Sequence, residues 1–253
     1  MSDSPEFKAA ALPRKGVGAR MLPLAIIVAG AAFFMAVALD LKFHGKLAQA
    51  DGVIAPAVFG HADPWLLIVA GGISRTGGAD IDVGVALLLS LYLLKQRRPR
   101  EWRAFWTIVV GLVGSALINQ GLKGWFAVPR PARYTFYAFK KSEGPYSFPS
   151  GHTMSAALLV GLLVLVWMHL VAMPAWKRAG LWLLTALWTT LAGASLIYVG
   201  VHTLTDVLAA FGLSAAWLGV LRLMLPPRAY HGVSSGIERS ACEVDGRADS
   251  GAV

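Results

Sequence analysis

Two histidines and an aspartate are the residues of this chain best suited to acid–base or nucleophilic chemistry. His202 and Asp206 stand four positions apart, a spacing that places both on one face of a helix. Asp206 can then hold one imidazole nitrogen and leave the other free and more nucleophilic, as the orienting acid of a catalytic triad does. The same pair, met alone, is more often structural or accidental than catalytic. His152 closes the run Pro149-Ser150-Gly151-His152, directly before an apolar stretch. A helix beginning there offers free N–H groups and the positive end of its dipole to an anion. Gly151 lets the backbone approach a ligand closely, and Ser150 is either a phosphate ligand or the helix N-cap. An imidazole titrates near neutrality and can protonate a leaving oxygen. A third group is Lys123 followed, after six intervening residues, by Arg130-Pro131. It supplies a point charge and a planar fork suited to phosphate, with Pro129 and Pro131 stiffening the chain. Taken singly, such cations are better explained as snorkelling side chains. A metal site of His152, His202 and Asp206 is disfavoured, because a cation site is not built inside a ring of cations.

The elements that must position these groups are membrane helices. The chain has 253 residues, of which 56% are hydrophobic and 15% charged, with a mean hydropathy of +0.59. A soluble domain averages about 25% charged residues, and this much apolar surface has no place in a single water-soluble core. Disorder, a secreted disulfide scaffold and a nucleic-acid-binding domain are excluded on the same grounds, despite a net charge of +9. In a membrane protein that excess belongs to cytoplasmic loops. The single cysteine, Cys242, rules out an intrachain disulfide and a cysteine-based metal site.

Apolar runs predict six spans: Met21–Leu39, Ile81–Leu94, Phe105–Leu122, Thr153–Val171, Ala179–Val199 and Leu204–Leu225. The first also reads as a signal peptide, with Ala36-Val37-Ala38 as the cleavage site, but it is long for that role and further spans follow. Pro64–Ile73 is too short to cross and is expected to be an outer interfacial or re-entrant helix. The expected organisation is a cytoplasmic tail over 1–20, a six-helix membrane domain over 21–225, and a disordered cytoplasmic tail over 226–253. Basic clusters at 95–103 and 177–178 fall on the side of both termini, which the positive-inside rule makes cytoplasmic. Residues 123–152 then lie outside, where Lys123, Arg130, Arg133, Lys140 and Lys141 break that rule and point to an anionic ligand. Aromatic residues crowd this loop, among them Trp125, Phe126, Tyr134, Phe136, Tyr137, Phe139, Tyr146 and Phe148. They suit an interfacial belt, some of them also lining a lipid entry. Asn119 is expected to make an interhelical hydrogen bond.

Together, Lys123-x6-Arg130-Pro131, Pro149-Ser150-Gly151-His152 and Ser195-x6-His202-x3-Asp206 resemble the three-part signature of the type 2 phosphatidic acid phosphatase superfamily, over roughly residues 60–225. The resemblance implies an all-α fold: a polytopic membrane bundle of six transmembrane helices with the site between helices. It implies metal-independent hydrolysis of membrane lipid phosphates or pyrophosphates, with no cofactor and no nucleic-acid partner. Phosphatidate, phosphatidylglycerophosphate, polyprenyl pyrophosphates such as undecaprenyl pyrophosphate, and lipid A phosphates are all candidate substrates. By the same resemblance His202 is the nucleophile that forms a phosphohistidine, Asp206 orients it, and His152 protonates the leaving oxygen. Lys123, Arg130, Ser150 and the Gly151 amide bind phosphoryl oxygens. The implied location is the inner (plasma) membrane, with the site facing the periplasm or exterior. One departure stands out: the third motif of the family begins Ser-Arg, whereas this chain has Ser195-Leu196. Arg133, Lys140, Lys141 and Tyr198 are the candidates to fill the gap. Leu196 also supports two neighbouring readings, a non-catalytic lipid-phosphate-binding protein and, with a lipid hydroxyl in place of water, a phosphotransferase.

Overall fold

The structure, a computed structural model, describes residues 18–59, 63–130 and 144–225. Eight helices are found among them: α1 Gly18–Lys42, α2 Lys46–Phe59, α3 Pro64–Arg75, α4 Ala79–Gln96, α5 Pro99–Phe126, α6 Gly151–Leu170, α7 Ala175–Val199 and α8 Leu204–Met224. Six stretches are long and apolar enough to cross a membrane, and the protein is a multi-pass helical bundle. The second stretch, Pro64–Gln96, is divided into α3 and α4 by a turn at Thr76–Gly78. With 12 residues, α3 is about 18 Å long at 1.5 Å per residue, well short of a bilayer core of about 30 Å. Both its ends lie at one end of the bundle. The Asp63 N–H before it donates to the Tyr198 hydroxyl at 3.0 Å, at the close of α7. After it, a Cβ on Gly77 would collide with the carbonyl oxygen of His152, at the start of α6.

Helices α1, α4 and α5 run beyond both ends of the apolar windows that predict them, α6 and α7 begin before theirs, and α8 stops one residue short of its own, because caps rather than hydropathy end a helix. Pro99 opens α5 at a position where a missing N–H costs nothing. Gly200 ends α7 with φ 82°, a left-handed conformation that glycine adopts freely. Likewise α1 begins at Gly18, so the last residues of the predicted N-terminal tail are helical. Residues 1–17 and the C-terminal tail from 226 lie outside the described residues, as do Arg133, Tyr134, Phe136, Tyr137, Phe139, Lys140 and Lys141 of the loop.

The helices meet through small residues, as bundles in lipid do. Along α1 and α8, a Cβ on Gly212 would come within 2.8 Å of the Gly30 carbonyl, and one on Gly30 within 2.6 Å of the Gly212 carbonyl. These backbones touch, so α1 is an integral wall of the bundle. On α5 the buried positions Thr107, Gly111, Ser115 and Asn119 recur every four residues and form one small or polar face. Gly111 receives Leu162 of α6 and Leu221 of α8, and Gly161 receives Leu218. The central helix is α6, with 67% of its apolar window buried against at most 44% for any other. Large apolar side chains such as Leu88, Leu117, Trp167 and Leu184 point outward from the bundle, as a lipid-facing surface requires.

Candidate active site

The site is assembled where α5 ends, α6 begins and α7 turns into α8. Thr203 caps α8: its hydroxyl accepts the Asp206 N–H at 3.3 Å, and the Asp206 carboxylate accepts the Thr203 N–H at 3.0 Å. This reciprocal capping box fixes the Asp206 side chain before it meets anything else. Asp206 Oδ2 then lies 3.1 Å from His202 Nδ1, and Oδ1 accepts from the Ser147 hydroxyl at 3.2 Å. The carboxylate is 0% exposed and has three donors, which compensate its loss of water.

His202 is buried as well, with its Nε2 3.3 Å from Arg130 Nη1. A carboxylate only accepts and a guanidinium only donates. A neutral ring between them must therefore carry its proton on Nδ1 and a lone pair on Nε2. Burial pushes the His202 pKa below its ordinary value. Asp206 opposes that, and the Arg130 and Lys123 charges reinforce it. These surroundings favour the neutral imidazole, with its Nε2 turned to Arg130.

Arg130 is held by its neighbours: Nε donates to the Gly144 carbonyl at 2.8 Å and Nη1 to the Val201 carbonyl at 3.2 Å. Lys123, in the last turn of α5, donates to the Tyr146 carbonyl at 2.9 Å. Ser150 is the N-cap of α6, accepting from the Thr153 N–H at 3.3 Å, and its own N–H donates to the Asp206 carbonyl at 3.1 Å. The Ser150 hydroxyl also lies 2.9 Å from the Thr153 hydroxyl, and the residue is 0% exposed. The Asn119 amide donates to the Pro149 carbonyl in the preceding loop at 3.5 Å and to the Met154 sulfur of α6 at 3.9 Å, the second being the interhelical role expected of it. A cavity of about 570 Å³ opens beside these groups, lined by Lys123, Arg130, Gly151 and His152 together with Asn119 and Asp82. Its size lies within the usual range of small-molecule sites. All seven predicted site residues thus converge on one end of the bundle.

Leu196 does not face this cavity. It is 1% exposed and packs with Ala70 of α3, Val199 and Val201. Tyr198, whose hydroxyl accepts the Asp63 N–H at 3.0 Å, is not among the cavity-lining residues either. Phe126 and Phe148 depart from the belt reading: with Phe34 of α1 they form an aromatic cluster, and Phe148 is 0% exposed. Trp125, by contrast, is 84% exposed. Sequence reasoning missed Ser147, Thr203 and Asp51. The Thr203-x-x-Asp206 spacing is a legible capping signal. Asp51 of α2 accepts from the Thr205 N–H at 3.2 Å and the Thr205 hydroxyl at 2.6 Å, a pairing across 154 positions that no local pattern announces.

A helical membrane bundle whose two histidines, aspartate and cations converge at one end defines a phosphatase-type fold of the type 2 phosphatidic acid phosphatase class. The chain belongs to the PAP2 superfamily, whose model matches residues 104–230. It is 28% identical over 183 residues to phosphatidylglycerophosphatase B of Bacillus subtilis, covering 72% of this chain and 86% of that protein. It is 28% identical over 155 residues to an undecaprenyl-diphosphatase of Sulfolobus acidocaldarius, covering 60% and 67%. Among solved structures it resembles a transmembrane PAP2-type phosphatidylglycerolphosphate phosphatase from Bacillus subtilis, with a TM-score of 0.64 and 25% identity, covering 79% of this chain and 94% of that one.

Proposed function

We propose that this membrane-embedded PAP2 phosphatase hydrolyses lipid phosphates or pyrophosphates without metal, through a phosphohistidine at His202. The observation that carries the reading is the buried Asp206–His202 pair, with Nε2 directed at Arg130 beside the cavity. When a phosphoryl group enters, Arg130 turns from Nε2 to a phosphoryl oxygen, with Lys123, Ser150 and the α6 N-terminus around the others. As the first helical residue, Gly151 presents an amide that no intrahelical carbonyl satisfies. Such preorganised donors stabilise charge in the transition state. Nε2 attacks phosphorus, the ester oxygen leaves with a proton from His152, and Nδ1–H stays on Asp206. Water then attacks the phosphohistidine, gives its proton to His152, and phosphate departs from Nε2. Relatives named for phosphatidylglycerophosphate and for undecaprenyl diphosphate support both a monoester and a diphosphate of a lipid as substrate.

The basic residues Lys95, Arg97, Arg98, Arg100, Arg103, Lys177 and Arg178 stand at the end of the bundle opposite the cavity. By the positive-inside rule that end is cytoplasmic, and the site faces the periplasm or exterior of a bacterial-type inner membrane. The decisive experiment is phosphate release by purified protein in detergent, with EDTA, against a panel of lipid phosphates. Turnover that survives EDTA and is lost in His202→Ala supports the mechanism. Metal dependence or an active His202→Ala overturns it. A second reading, a lipid-phosphate-binding protein without turnover, is favoured by Leu196, which leaves the third motif without its guanidinium. Binding without release from any lipid would select it.

A further inference from the structure

The phosphoryl chemistry leaves one buried carboxylate of the cavity unused. Asp82, in the first turn of α4, is 3% exposed, and its Oδ1 has no hydrogen-bond partner. It lines the same cavity as His152. Ser155, one turn into α6, lines the cavity with both of them. The turn before α4 is pressed onto α6, since a Cβ on Gly77 would collide with the His152 carbonyl. An acidic residue in a first turn is favoured by the helix dipole. The exposed Asp80 meets that preference and gives no reason to bury Asp82 as well. A buried carboxylate in a cavity that receives phosphate suffers both desolvation and repulsion, and it stays ionised only with a cationic partner. Lys123 and Arg130 hold loop carbonyls and His202, whereas His152 stands across the cavity on the adjoining helix.

We propose that Asp82 is the positioning residue for His152, its carboxylate accepting a hydrogen bond from the imidazolium and aiming the other ring nitrogen at the leaving oxygen. This rests on His152 being the proton donor. In the first step the His202 Nε2–P bond forms and the P–O bond to the lipid breaks, as the His152 proton passes to that oxygen. In the second, water attacks phosphorus, its proton returns to His152, and the P–N bond breaks. Asp82 stays ionised throughout and stabilises the imidazolium at the start and the end.

A general acid matters in proportion to how poor the leaving group is, which gives a readout that a purely structural role would not move. Full-length wild type, Asp82→Asn, Asp80→Asn and His152→Ala are assayed in detergent on a short-chain phosphatidic acid and on p-nitrophenyl phosphate. Asp82→Asn is expected to lower kcat on phosphatidic acid by about 10- to 100-fold, a part of the 10²–10⁴ that proton transfer typically contributes, and to stay within about threefold on the aryl phosphate. Aryl phosphate turnover also reports that the variant is folded. Asp80→Asn is expected to match wild type on both. Equal losses on the two substrates, no loss on either, or the same split from Asp80→Asn would overturn the proposal. If His152→Ala shows no split, the reading of His152 as the acid falls; if it shows the split and Asp82→Asn does not, only the role of Asp82 falls.

Discussion

His202 carries its proton towards Asp206 because of what surrounds it, and that arrangement fixes how the rate should depend on pH. In the proposed mechanism the nucleophile is the neutral ring. Burial lowers its pKa below the ordinary 6.5, so the neutral form persists into more acidic solution. The acid limb of kcat/KM, read from pH 4 to 8, is therefore expected below 6.5, and a limb at or above that value would contradict the burial argument. Asp206→Asn tests the same geometry from the other side. An amide can donate to Nδ1, which moves the ring proton to Nε2 and removes the lone pair that attacks. By analogy with the orienting acid of serine hydrolases, the loss in kcat should be on the order of 10³–10⁴. Leu196 points away from the chemistry, into apolar contact with Ala70. Leu196→Arg is accordingly expected to lower the thermal midpoint, because a guanidinium there is buried without a partner. It should not raise turnover, and a variant that is both stable and faster would show that position 196 reaches the phosphate after all.

Helix termini and helix crossings carry the precision that those residues need. Thr203 caps α8 and positions Asp206 in one stroke. Asp51 secures the next residue, Thr205, from α2, and burial raises the Asp51 pKa despite its hydrogen bonds to Thr205. At the other side of α8, Gly212 and Gly30 bring two backbones together. Gly212→Ala pushes a methyl against the Gly30 carbonyl, an overpacking expected to cost about 1–3 kcal/mol. A lower melting temperature in detergent, with little change in KM, is the expected result. A midpoint equal to wild type would mean that α1 and α8 separate at no cost.

The bundle's broad plan was legible because its signals are local. Apolar runs announce crossing helices, and the short Pro64–Ile73 run correctly signals a helix too short to cross. The three motifs name the residues that meet at the site. What stayed hidden depends on partners far apart in sequence: Phe148 closing on Phe34, Asp51 on Thr205, and Asp82 brought to the cavity of His152 by the α3–α4 turn. No periodicity encodes those meetings, since they follow from how the helices pack. The orientation proposed for the whole bundle rests on yet another term, the charge asymmetry between its ends. Seven lysines and arginines at 95–103 and 177–178 mark one end, and the cavity opens at the other. In a protein with Cys242 replaced by serine, a cysteine at Ser142 is expected to react with a membrane-impermeant maleimide in intact spheroplasts. A cysteine at Arg98 is expected to react only after lysis. The reverse pattern would put the site in the cytoplasm and require its lipid substrate to be reached from the inner leaflet.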